Sequence, residues 1–157
     1  MRKLSILFYM SPSSLQKFRL ACYRQMMLED LSDDYAIQDY QSDWHHAQDE
    51  VKRLFAYLDT HHLSSEQEAE ILLTIFVALQ IGYRNWELFQ RAADHTYDLL
   101  PLLSDSKLKC HLLVHLYQET QDEDLLPEID QLMDTWTEAT MTEEDHYLQA
   151  LYEPQFQ

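Results

Sequence analysis

Gly82 is the single glycine in a chain of 157 residues, and this constrains the fold more than any other feature. Tight β-hairpins, bulges and phosphate-cradling loops depend on glycine, which reaches positive φ without steric cost. With one such residue a multi-stranded sheet is disfavoured, and an all-α fold is expected. The same scarcity removes P-loops, nucleophile elbows and dinucleotide fingerprints. No catalytic residue and no cofactor is therefore expected.

A chain of this length matches one domain and can bury a core that needs no staples. Cys22 and Cys110 sit inside apolar helical patterns and read as small buried hydrophobes of a reducing compartment. Arg2 and Lys3 precede the apolar run Leu4 to Met10, but no small-residue cleavage site follows. No stretch approaches the roughly 20 apolar residues of a membrane span. These features predict a cytoplasmic protein. Residues 1–11 are expected to form a strap, 12–153 the helical core, and 154–157 a tail after Pro154.

The pattern predicts six to seven helices. The first starts near Ser11 to Ser14, with Leu15, Phe18, Cys22 and Met26 on one face. Glu29 to Asp43 loses that period and reads as an ordered loop. A second helix, capped by Ser42 or Asp43, runs to about Asp59. Ser64 with Gln67 offers a capping box for a third. This third helix is apolar on more than one side, so neighbours must cover it on more than one side. A turn near Gly82 to Asn85 leads to a fourth helix, Trp86 to Leu100, whose expected buried stripe is Trp86, Phe89, Ala92, Ala93, Thr96 and Leu100. The fifth is opened by Ser104 or Asp105, the sixth spans roughly Asp124 to Thr137, and Thr142 with Asp145 announces the last. Short connections make neighbours antiparallel, giving a single-domain antiparallel helical stack with TPR-like packing.

Net charge is −17, from 28 acidic residues against 11 basic ones. Such a field repels phosphate backbones and suits a basic protein partner, so direct nucleic-acid binding is not expected. His111, His115 and Glu119 fall on one helix face at the spacing of a shared metal ion, but they lack a certain fourth ligand. Packing or surface histidines are the expected outcome, with no metal. Tyr35, Tyr40, Tyr152 and Phe156 lie outside the helical stripes, where aromatics on an acidic surface would suit protein recognition. The expected partner-binding residues are Asp122, Glu123, Asp124, Glu128, Tyr35 and Tyr40.

Three stretches carry a resemblance. They are SSEQEAEILLTIFVALQIGY (Ser64 to Tyr83), LPLLSDSKLKCHLLVHLYQETQDEDLLPEIDQLMDTW (Leu100 to Trp136) and MTEED (Met141 to Asp145). Their content and order resemble the UpxZ family of transcription antiterminator antagonists from capsular polysaccharide loci of Bacteroides-type bacteria. The resemblance implies regulation by binding and inhibiting a NusG-like antitermination factor. A second reading of the residues is a TPR-like adaptor for an unrelated protein.

Overall fold

The computed structural model describes residues 11–30, 34–81 and 85–153, with side chains described at all of these except 27–30 and 34–46. Among the described residues seven α-helices follow one another: α1 (Pro12–Asp30), α2 (Asp34–Thr60), α3 (Ser65–Ala78), α4 (Trp86–Leu99), α5 (Lys107–Thr120), α6 (Leu126–Met133) and α7 (Glu143–Tyr152). Single 3₁₀ turns stand at Leu100–Leu102, Glu123–Leu125 and Glu138–Thr140. There is no strand among the described residues. No described helix is long and apolar enough to cross a membrane.

α3 is the centre of the stack. Every residue from Ile71 to Ala78 is buried, a run longer than two turns that therefore covers all sides of the helix. The helix packs against α1, α2, α4 and α5 at once. Each large apolar side chain buried there contributes about 1.5–3 kcal/mol, so the fold is centred on this helix. Its start is fixed locally. The Ser64 side chain accepts from the Gln67 N–H at 3.2 Å, and the Gln67 side chain accepts from the Ser64 N–H at 2.9 Å.

The other ends are set by the same chemistry. Ser11 and Ser14 bond each other's backbone N–H at the start of α1, both at 3.1 Å. Asn85 accepts from the Leu88 N–H to open α4, and Thr142 and Asp145 form a reciprocal box at the start of α7. α5 opens one residue later than expected, with Ser106 rather than Ser104 or Asp105 as its cap. Cys22 and Cys110 are buried free thiols. Burial pushes the Cys110 thiol up to about 12, so it packs as a neutral group.

Three expectations are corrected. Within the expected loop Glu29 to Asp43, the described residues are helical: α1 runs to Asp30, and α2 begins at Asp34. That segment holds no proline or glycine, and loss of apolar period reports on burial, not on whether the backbone can helix. α3 ends at Ala78, short of the residues expected to turn, of which 82–84 lie outside the described residues. The sixth helix is split, since Glu123–Leu125 is a 3₁₀ turn and α6 proper stops at Met133. Tyr152, outside the sequence stripes, folds back onto the core and donates to Asp130 at 2.9 Å. Residues 1–10 of the expected strap 1–11, and the expected tail 154–157 with Phe156, lie outside the described residues.

Candidate functional site

Two clusters of polar and aromatic residues stand out, one inside the stack and one on its surface. The inner cluster begins with Arg19. It lies one turn beyond Leu15 on α1, so the face that buries Leu15 carries the guanidinium inward as well. Arg19 donates through Nε and Nη2 to the two carboxylate oxygens of Glu144 on α7, at 2.5 and 3.1 Å. Its Nη1 reaches Glu70 at 2.9 Å and Thr74 Oγ1 at 3.0 Å on α3. Burial alone would lower the Arg19 pKa, but the two carboxylates outweigh it and raise it. Three helices are thereby fastened at one point.

Both α5 histidines belong to this interior. His111 Nε2 lies 2.7 Å from Asp145 Oδ1, and Lys107 donates to Asp145 Oδ2 at 2.7 Å. Burial pushes the Asp145 carboxyl up, yet the bonds from His111, Lys107 and the Thr142 N–H hold it well below the usual carboxylate range. His115 Nε2 lies 3.0 Å from the Tyr23 hydroxyl, and its ring stacks on Phe76. Burial drives His115 down to about 3, with His111 and Arg19 adding to the effect, so the ring stays neutral. Burial also raises the Tyr23 phenol, which keeps its proton and shares a hydrogen bond with the imidazole. A cleft of about 420 Å³ borders the cluster, lined by Arg19, Glu70, Lys107, His111, Glu144 and Asp145 among others. Its charges are already engaged with one another.

The surface cluster lies on α4 and the turn after α5. Trp86 is 68% exposed, Leu102 67% and Tyr97 38%. Trp86 and Tyr97 are eleven residues apart on α4, three helical turns, so they line up on one side. Glu87 and Asp98 form a parallel row with the same separation, and both are exposed. Between the rows, Gln90 Nε2 donates to Asp94 at 2.9 Å. Tyr97 donates its hydroxyl to Asp122 at 2.7 Å, tying α4 to the acidic turn Asp122 to Asp124. Partial burial and the Asp122 carboxylate raise the Tyr97 phenol and keep it a donor. The turn is aimed by Gln121, whose φ of 56° and ψ of 30° put a non-glycine residue in the left-handed region at the end of α5. Asp122 then caps the 3₁₀ turn by accepting from the Asp124 N–H at 3.1 Å.

No family model matches the chain, and no curated protein matches it. A solved structure does. The crystal structure of the transcription anti-terminator antagonist UpxZ from Bacteroides uniformis is similar with a TM-score of 0.65 and 25% sequence identity. The match covers 90% of this chain and 94% of that one. The chain resembles UpxZ. The likeness reaches beyond the three stretches from Ser64 onward, because a span of that size must take in residues of the first two helices.

Against this UpxZ-like frame the sequence-predicted residues divide. Asp122, Glu123 and Asp124 are gathered beside Tyr97 on the surface. Glu128 is held elsewhere, by Lys109 of α5 at 2.8 Å. Tyr35 and Tyr40 fall on the first turns of α2, and their side chains lie outside the described residues. His111 and His115 share a helix face, but each has Nε2 committed to a different partner. Among the described residues no group of three or more His, Cys, Asp or Glu could hold a metal ion. Trp86 was expected in the buried stripe and is instead exposed. It stands in the first turn of α4, where a helical side chain covers the turn before its own and so points beyond the packed length of the helix. Tyr97 and Leu102 were missed, although the exact three-turn spacing of Trp86 and Tyr97 was readable.

Proposed function

We propose that this chain is a non-enzymatic regulator that binds and antagonises a NusG-like transcription antitermination factor controlling capsular polysaccharide operons. The observation that carries the reading is the likeness to UpxZ over nearly the full length of both chains. The acidic surface supports it further. A net charge of −17 speeds encounter with a basic transcription-associated protein and disfavours nucleic acid as the ligand. Contact runs through the acidic turn Asp122 to Asp124 and neighbouring aromatics, and no chemical step is required of the complex. The purified chain, mixed with each NusG-like factor of the genome that encodes it, should form a stoichiometric complex with at least one. It should also restore termination in a transcription assay driven by that factor. A complex with none of them would overturn the proposal.

A further inference from the structure

We propose that the outer face of α4, continued by Leu102 and the turn Asp122 to Asp124, is a docking ridge for a basic amphipathic segment of a partner protein. The inference deepens the reading above and rests on it only in taking the chain to act by binding protein.

Three observations carry it. First, large apolar side chains stand on the surface here: Trp86, Tyr97 and Leu102 are the exposed large hydrophobics among the described residues. All three fall within seventeen consecutive positions. Scattered single apolar residues need no explanation, but a group including Trp and Tyr is the composition of an interface centre.

Second, charge is sorted across α4. Its arginine, Arg91, is half-exposed but engaged by α2, where it pairs with Asp59 at 2.6 Å and lies over the Phe55 ring at 4.2 Å. Its histidine, His95, is turned to Glu68 of α3 at 3.1 Å. Glu87, Asp94 and Asp98 are left outward beside the aromatic row, and Asp122, Glu123 and Asp124 extend the acidic flank. The ridge is thus apolar along its crest and negative along its sides.

Third, the ridge is rigid. Asn85 caps its start, Phe89, Ala92, Ala93, Thr96 and Leu99 anchor its inner face, and the Tyr97–Asp122 bond fixes its far end to another element. Pre-organised contact surfaces bind with less ordering cost.

The chemistry of the occupant follows. Its apolar stripe must cover a crest at least three helical turns long, and its flanks must carry Lys or Arg. Arginine is the better fit, because it can stack on Trp86 and bridge carboxylates at the same time.

The test uses the full chain and a defined probe, an amphipathic helical peptide with leucine on one face and arginine on the other. Backbone amide resonances are followed by NMR during titration. The proposal expects the largest shifts at 86–102 and 121–124. It also expects at least tenfold weaker binding by the Trp86→Ala/Tyr97→Ala double variant. Glu87→Lys/Asp98→Lys should weaken binding by a similar factor and flatten its salt dependence, without touching any packed side chain. Shifts spread evenly over acidic residues, shifts centred on another helix, or unchanged affinity of both variants would overturn the ridge. A chain that binds the peptide on α4 but no NusG-like factor would overturn the partner's identity alone.

Discussion

Arg19 and Arg91 use the same chemistry in two settings, and the comparison separates what holds this protein together from what it offers to others. Around Arg19, carboxylates, histidines and a tyrosine are drawn inward and bonded to one another until little remains to offer a ligand. Around Arg91, the cation is drawn aside by α2, and the acids and aromatics of α4 are left facing out. A buried charge cluster contributes little net stability compared with apolar side chains of the same shape, but losing one member is severe. An exposed ridge contributes almost nothing to stability and much to recognition. Side chains of the same kinds thus serve architecture in one place and, in the docking proposal, contact in the other.

The sharpest way to break that contrast is Glu144→Ala. It removes the bidentate partner of Arg19 and should cost about 3–5 kcal/mol in urea unfolding. Exchanging Arg19 and Glu144 together for Met and Leu should cost much less. A neutral single variant would mean that the inner cluster is not structural.

Acid should act next in size. His115 titrates near 3 in the fold against about 6.5 unfolded, so the unfolded chain binds the extra proton in between. Its stabilising contribution is complete above pH 6.5 and is lost as pH falls, at about 1.4 kcal/mol per unit. Asp145, also lowered in the fold, adds a loss of the same sign once pH drops below about 4. Melting temperature should therefore fall from pH 7 to pH 5, and His115→Phe should flatten the slope in that range.

Gln121→Gly tests the aiming of the acidic turn. Glycine relieves the left-handed backbone and should raise stability by about 0.5–1 kcal/mol, read from the urea midpoint. The smallest effect belongs to the ridge itself. Glu87→Lys with Asp98→Lys should leave stability within about 0.5 kcal/mol while partner affinity falls about tenfold. If this pair instead unfolds the protein, the division between the two regions fails.

Much of the fold could be read before any coordinates, for local reasons. The Ser64–Gln67 and Thr142–Asp145 boxes and the Asn85 cap are contacts between residues three apart, so their spacing is written in the chain. The core helix was readable too, because Ile71 to Ala78 leaves no polar face to point at water. The helical residues within 29–43 were not, since a missing apolar period reports on burial and not on the backbone. Of the candidate site, the acidic turn Asp122 to Asp124 was visible as composition. That Tyr97 closes on it across twenty-five positions was not.

The sequence by itself determined the class of fold, the central helix and most helix starts. These follow from glycine scarcity, apolar periodicity and caps, all of which act within a few residues. Only the tertiary structure decided which polar residues face inward and which face out. Arg19 is buried because α3 and α7 bring Glu70 and Glu144 to it, and Trp86 is exposed in the first turn of α4, where Phe89 is the residue turned inward. Burial of a charge or exposure of an aromatic depends on partners distant in sequence, and no local pattern records them.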